Sequence, residues 1–324
     1  MATNSDQLKI LIRAESDKHS DKALEFERLG QFQEAVAAYE AALTVDPTHA
    51  LIWCNKGSCL AEQGRFEEAL DCFDRAASLD SMHPAIWANT GSALQNLNRL
   101  EEALESYRRV VAIAPDRQEA WAQVGYCLFD LKRYDEAIEA FEFELKRNPR
   151  DPECCLEKGI ALKRLGRVKE AIVCYDECLK LAPDSPVVWK NKVIALLALE
   201  RYEETIACCD HGLCFGPTIY RADLLNDKGV ALKALTRLSE ALNCHDRALA
   251  LHPKHVLNLE NKAVLLHQLG KYDEAITYDE RALQIDPDNP GLWKNKAIHL
   301  ESLGRTEEAE LCMRRAHLIL TNGT

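Results

Sequence analysis

The 324 residues carry 40 Lys and Arg against 52 Asp and Glu, a formal net charge of −12, with 47% hydrophobic and 28% charged residues. That content is too apolar for disorder and too acidic for a chain that grips a phosphate backbone, so nucleic acid is not an expected partner. The 13 cysteines are odd in number and lack metal-type pairing, which suggests small buried thiols in a reducing compartment and calls for no cofactor.

Residues 1–9 have neither a basic cluster nor a following apolar core, and no stretch approaches the roughly 18 uncharged apolar residues of a membrane span. The protein is therefore expected to be cytoplasmic, with no membrane insertion. Residues 5–15, with Ser5 as an N-cap candidate, predict a leader helix within 1–15 that covers the first of a series of repeats. From residue 16 to the end at 324 a 34-residue period takes over. It frames nine units starting at 16, 50, 84, 118, 152, 186, 222, 256 and 290, with Tyr220 and Arg221 as an insertion after the sixth. All five tryptophans, Trp53, Trp87, Trp121, Trp189 and Trp293, fall in the fourth slot of their units. The eighth slot is small (Gly57, Gly91, Gly125, Gly159, Gly229) and the eleventh is Leu in eight units and Phe26 in the first. Slots four, eight and eleven lie within about 60° of one another at 100° per residue, which defines the buried stripe of a helix A.

A short break follows, often with glycine (Gly30, Gly64, Gly166, Gly270, Gly304), and then a second stripe with alanine in the twentieth slot of eight units. This is helix B, closed by a proline near the end of the unit, as in Asp46-Pro47 and Asp286-Pro287. Each unit is a helical hairpin, and the fold class is all-α.

The run Trp53-x-Asn55-Lys56-Gly57, followed by Gly64-Arg65-Phe66-Glu67-Glu68-Ala69, resembles the tetratricopeptide repeat (TPR) family over roughly residues 16–320. The resemblance implies a right-handed superhelical solenoid of about nine repeats, with helix A lining the concave side. A repeat of this kind stands only by stacking on its neighbours. No further polar helix follows Leu318-Ile319-Leu320, so either the last face self-associates or the chain is part of a longer one.

The sixth slot of helix A points about 200° from the tryptophan slot, away from the core. It holds Asn55, Asn89, Gln123, Glu157, Asn191, Asp227, Asn261 and Asn295. A side-chain amide both donates and accepts, so such a row can bond the backbone of an extended peptide, and it is similar to the asparagine ladder of O-linked N-acetylglucosamine transferases. Glu157 and Asp227 interrupt it. The plainer alternative is a row of solvated polar residues. The ninth slot runs from Ser58, Ser92 and Tyr126 to Ile160, Ile194, Val230, Val264 and Ile298, either an aliphatic strip for a partner's side chains or simple packing against the next helix A. The seventh slot is mostly lysine, read as stems that cover apolar surface. The family's carboxylate clamp needs Lys and Asn four residues apart, but Lys190 is followed by Ile194 and Lys294 by Ile298, so that pattern is missing.

The twenty-fourth slot is aromatic in five units, then Cys209, His245, Asp279 and Met313. Consecutive Cys, His and Asp imitate a thiol triad, but equivalent slots on stacked helices sit about 8–10 Å apart, too far for proton transfer. A His245–Asp279 hydrogen bond, with Tyr278 restoring aromatic bulk and a hinge near the insertion, is the alternative. The run Cys208-Cys209-Asp210-His211 points in several directions along a helix and cannot enclose a metal. The leading expectation is a non-catalytic scaffold that binds a protein or an extended peptide on helix A. The others are assembly through the solenoid ends, and RNA binding of the pentatricopeptide kind, which the acidic balance opposes.

Overall fold

The computed structural model describes the backbone of residues 4–322 and the side chains of residues 12–321. Among the described residues all regular structure is helical. The chain divides into two compact blocks at residues 161 and 162.

The N-terminal block contains α1 (Asn4–Arg28), α2 (Phe32–Val45), α3 (Ala50–Glu62), α4 (Phe66–Leu79), α5 (Pro84–Asn96), α6 (Leu100–Ile113), α7 (Ala120–Asp130) and α8 (Tyr134–Arg147), and ends within α9 (Pro152–Arg164). The C-terminal block holds α10 (Val168–Leu181), α11 (Pro186–Ala198), α12 (Tyr202–Gly212), α13 (Thr218–Ala234), α14 (Leu238–Leu251), α15 (Val256–Gln268), α16 (Tyr272–Ile285), α17 (Pro290–Ser302) and α18 (Thr306–Asn322). Odd-numbered helices are the A helices of the nine repeats and even-numbered ones the B helices. The leader and the first helix A are one helix, α1, without a break at residue 15. Ser5 lies outside the residues whose side chains are described. Tyr220 and Arg221 do not form a loop: α13 starts four residues before its repeat frame and absorbs them, while α12 stops at Gly212 with 11 residues where most B helices have 14.

The break between helices A and B is the same in all nine repeats. Its fifteenth slot is left-handed at Gly30, Gly64, Gly166, Gly270 and Gly304, and equally at Asn98, Lys132, Glu200 and Thr236 with φ of 57–60°. At Gly64 the Arg65 amide then donates back to the Leu60 carbonyl at 3.0 Å, which ends α3 in a Schellman turn. The non-glycine residues accept a strain of about 1 kcal/mol because the hairpin fixes that turn.

From the second repeat on, packing inside a hairpin follows a size rule; the first repeat combines Ala23 with Tyr39. A Cβ added at Gly57 would lie 2.5 Å from the Phe73 ring, at Gly91 2.8 Å from Tyr107, at Gly125 2.6 Å from Phe141, and at Gly229 2.7 Å from His245. The slot-eight glycine is thus a notch for the slot-twenty-four ring of the same repeat. Where the twenty-fourth slot is smaller, at Cys209, Asp279 and Met313, the eighth slot grows to Val193, Ala263 and Ala297. The tryptophans sit at the edge of the core and not at its centre: Trp53, Trp87, Trp189 and Trp293 are half-buried, each donating its indole N–H to a carbonyl six residues earlier at 2.8–3.0 Å. The buried stripe of helix A is wider than expected: slots three and ten, such as Ile86 and Ala93, are as deeply buried as slots eight and eleven.

The expected His245–Asp279 bond does not form. His245 Nδ1 lies 2.6 Å from Asn258 Oδ1, and Asn258 Nδ2 donates to the His245 carbonyl at 3.0 Å. Asp279 Oδ2 instead lies 2.6 Å from His299 Nδ1. Each polar side chain in an apolar slot meets another in the next repeat, because slot twenty-four of one helix B faces slots three and ten of the following helix A and not its own equivalent.

The notch carries a test. Gly57→Val should destabilise the N-terminal block by about 1–3 kcal/mol through overpacking against Phe73. Combining it with Phe73→Cys, which copies the Val193 and Cys209 pair, should cost less than the sum of the two single changes in a urea double-mutant cycle; strict additivity would rule the notch out. A second test concerns His245, whose pKa burial pushes down to about 4, with Asn258 partly opposing. The depressed value means the folded state prefers neutral imidazole, so this stability is present above about pH 6.5 and is lost as pH falls toward 4. The double variant His245→Phe with Asn258→Leu should become more stable relative to wild type, by up to roughly 3 kcal/mol, between pH 7 and pH 4. A pH-independent difference in urea midpoint would assign the loss to another group.

Candidate peptide-binding face

Slots two, six and nine follow one another at helical spacing and make one stripe on each helix A, turned away from its helix B. The eight slot-six residues are all half-buried. Several reach across to the preceding repeat. Asn89 Nδ2 donates to Ser58 Oγ at 2.8 Å, Asn261 Nδ2 to Asn226 Oδ1 at 2.9 Å, and Asn295 Nδ2 to Glu260 Oε1 at 2.8 Å. Asn191 accepts from Lys163 Nζ at 2.7 Å on its Oδ1 and donates to the Val187 carbonyl at 3.0 Å. The amides are therefore held in fixed orientation by their neighbours, neither loosely solvated nor uncommitted. Where the NH2 group is bonded within the stack, the amide oxygen is the group suited to a peptide N–H. Gln123 and Ser92 line a 260 Å³ cavity beside the Glu119 turn.

The two acidic interruptions behave alike. Burial holds the Glu157 carboxyl above its usual range, with Glu153 and Asp130 adding to it. Burial likewise raises Asp227 to about 6, opposed by a hydrogen bond from Asn226 and reinforced by Asp223. Asp223 takes the opposite course: burial would raise it, but Lys190 and His255 outweigh that and hold it low. Lys190 bonds one Asp223 oxygen, and His255 Nε2 lies 2.8 Å from the other. A polar centre of Lys190, Asp223, Asp227 and His255 thus occupies repeats six and seven. Slot position alone does not reveal it, since Lys190, Asp223 and His255 come from three different slots.

On either side the stripe turns apolar. In slot nine Ile194 is 39% and Ile298 50% exposed, while Ile160, Val230 and Val264 are half-buried. Slot two contributes exposed Val187 and Leu257, which sequence reasoning left unnamed and which alternation with Asp223 and Glu153 at that slot disguised. The slot-seven lysines have a structural task. Lys56 pairs with Glu40 at 2.9 Å, Lys158 with Glu142 at 2.8 Å, Lys192 with Asp176 at 2.5 Å and Lys296 with Glu280 at 2.9 Å. Lys228 pairs with Asp210 and Lys262 with Asp246. Each joins slot twenty-five of the preceding repeat.

The triad look-alike is dispersed. Cys209 is fully buried and its thiol is pushed far up by burial, while His245 and Asp279 are committed to Asn258 and His299. Among the described residues no three His, Cys, Asp or Glu are grouped to hold a metal ion, and no helix is long and apolar enough to cross a membrane.

Comparison with known proteins identifies the repeat. Family models described as tetratricopeptide repeat match residues 20–84, 88–152 and 226–290, with further matches at 152–185 and 266–319. No curated protein matches the chain. Among solved structures, the chain is similar to the C-terminal part of a TPR repeat-containing protein from Cytophaga hutchinsonii, at 17% identity and a TM-score of 0.64 over 74% of this chain and 98% of that one. A tetratricopeptide repeat protein from Parabacteroides merdae aligns at 20% identity and a TM-score of 0.55, covering 78% and 98%. The MamA protein aligns at 21% identity and a TM-score of 0.50, covering 52% and 92%. At these identities the likeness concerns the fold alone.

Asp227 provides the test of this electrostatic picture. Its raised pKa means the fold favours the protonated acid, so stability from this group falls as pH rises from about 4 through 6. Asp227→Asn should match wild type at pH 4 and exceed it by up to roughly 3 kcal/mol at pH 8, read from urea unfolding of the two proteins. A difference that shrinks with rising pH would refute the assignment.

Proposed function

The chain belongs to the tetratricopeptide repeat family, and on that premise we propose that this interaction scaffold holds an extended segment of a protein partner along the helix A face. The groove residues are the ladder at slot six, namely Asn55, Asn89, Gln123, Glu157, Asn191, Asp227, Asn261 and Asn295, with Ile160, Ile194, Val230, Val264 and Ile298 beside it. One observation carries the reading: the ladder amides are oriented by bonds to the preceding helix A, so their remaining polar groups are pre-set for a backbone that runs past several repeats. A preorganised donor and acceptor row gives affinity without dictating sequence, and the exposed Ile194, Leu257 and Ile298 favour apolar side chains next to it. The polar centre around Asp223 and Asp227 suits a basic or hydroxyl-bearing residue between two apolar ones. The reading assigns the chain no reaction and places it in the cytoplasm, as expected of a thiol-rich chain.

The test uses 12-residue random peptides displayed on phage and selected on the full chain. Peptides enriched with the soluble triple variant Asn191→Ala, Asn261→Ala and Asn295→Ala as competitor should bind that variant at least tenfold more weakly than wild type. The variant itself should lose about 1 kcal/mol of stability for each inter-repeat bond removed and keep its helical circular dichroism. If no peptide that discriminates wild type from the variant emerges, the groove is rejected. Light scattering of the same samples over a concentration series separates this reading from assembly, in which the mass grows with concentration.

A further inference from the structure

Beyond the first repeat every slot-seven lysine reaches the acid at slot twenty-five of the preceding repeat, and two repeats have no such lysine. Repeat three has Thr90 and repeat four has Val124 in that slot. The grooves at these two positions, each between helix B of one repeat and both helices of the next, differ accordingly.

The groove between α4, α5 and α6 has a volume of about 550 Å³. Thr90 and Leu94 lie at its base and Trp87 on its wall, with Arg109 over the indole at 4.2 Å. Around it stand Glu67, Asp71, Asp74 and Glu101, none in an ion pair among the described residues, whereas Arg99 and Arg109 are committed to Glu102 and Glu105. The equivalent groove one repeat earlier is about 400 Å³ and contains Lys56, which pairs with Glu40 and lies 5.6 Å from the Trp53 ring. Lys192 repeats that arrangement with Asp176 and Trp189. The chain thus shows six times which group fits beside slot twenty-five, and in repeat three it leaves that group out while keeping the acid, Asp74, and the tryptophan.

The next groove, between α6, α7 and α8, measures about 390 Å³ and has a different lining. Its slot-twenty-five residue is Arg108, paired with Glu136 at 3.7 Å, so no cation is wanted there. Val111, Val124 and Leu128 form an apolar base, and Trp121 stacks on Phe143 with ring centroids 4.8 Å apart. Phe143 remains 48% exposed.

We infer that these two neighbouring grooves form a second docking surface, separate from the helix A face, for a protein segment that carries a lysine and, one repeat further along, an apolar residue. The lysine takes the place that the chain's own lysines take elsewhere: its ammonium meets Asp74 and its stem lies against Leu94 and Thr90. The apolar residue covers Trp121 and Phe143. The acidic rim draws a basic segment and disfavours an acidic one, and the affinity falls with salt because the rim is exposed.

The experiment selects displayed random 12-residue peptides on the full chain, with competition by Thr90→Lys, a variant that supplies the missing lysine from within. A second variant, Asp74→Asn with Glu101→Gln, changes only exposed side chains and guards against misfolding of the first. Enriched peptides should contain lysine near an aromatic or aliphatic residue. They should bind either variant at least tenfold more weakly and lose affinity between 50 and 300 mM salt, yet bind the Asn191, Asn261 and Asn295 triple-alanine variant as they bind wild type. Peptides without a basic residue, equal binding by the Asp74→Asn and Glu101→Gln variant, or loss of binding only on the triple-alanine variant would each overturn the proposal, the last without touching the helix A reading.

Discussion

A hairpin of two helices buries one face within itself and leaves the other to its neighbour, so the contact between helix B of one repeat and helix A of the next decides whether the stack exists. In this chain that contact is assembled from a fixed set of parts. A ring at slot twenty-four enters the glycine notch at slot eight of its own helix A, as Phe73 does over Gly57, and this sets how close the two helices of a hairpin come. Slots three and ten of the following helix A then close over that ring. The lysine of slot seven spans to slot twenty-five and keeps its stem in the seam, with Lys262 only 6% exposed. These pairs are half-shielded, which makes them firmer than the exposed Arg65–Glu68 type at the start of helix B in the later repeats. The notch sets distance, and the lysine seals the edge.

The C-terminal block departs from this pattern without losing it. His245 and Asn258 occupy slots that are apolar or aromatic in most repeats, and so do Asp279 and His299, yet each pair bonds across a repeat boundary. Satisfaction is incomplete: His245 Nε2 and Asp279 Oδ1 are buried without a partner. Burial holds Asp279 above its usual range against the pull of His299. A polar pair that is well placed but short of one bond is costly to keep and specific in what it accepts, so it fixes which helix A follows which helix B. Glu144 acts similarly in the other block. It fills a slot that most repeats give to small residues and accepts from the Glu119 amide at 3.1 Å, at the point where α7 starts late and the backbone turns left-handed.

How much of this could be read from the residues depended on whether a slot repeats. The helices, their breaks and the buried alanines were legible because nine copies average out local noise, and the Trp slot fixed the frame. The left-handed break was only half legible, since Asn98, Lys132, Glu200 and Thr236 adopt the glycine conformation under tertiary constraint. The ladder was visible as a row, but its bonds to the preceding repeat were not, because Ser58, Asn226 and Glu260 lie 31 to 35 residues away and in two different slots. The pairing of His245 was misread for a related reason. Matching slots suggest matching positions in space, whereas a helix B slot actually faces different slots of the next helix A. The Lys190, Asp223 and His255 centre was invisible for want of any period at all.

Slots that set the stack and the slots proposed to meet a partner are nearly disjoint, and slot seven is where they overlap. A lysine there serves the stack and neutralises the groove; its replacement by Thr90 or Val124 leaves the stack standing on its other contacts and uncovers surface. Slot six can vary between Asn, Gln, Glu and Asp because the core of the hairpin lies on the other side of the helix, although a buried acid there, as at Asp227, costs stability at neutral pH. A scaffold built this way acquires binding sites by subtraction as readily as by addition, since removing one buttressing side chain exposes acid, indole and aliphatic surface that were already in position.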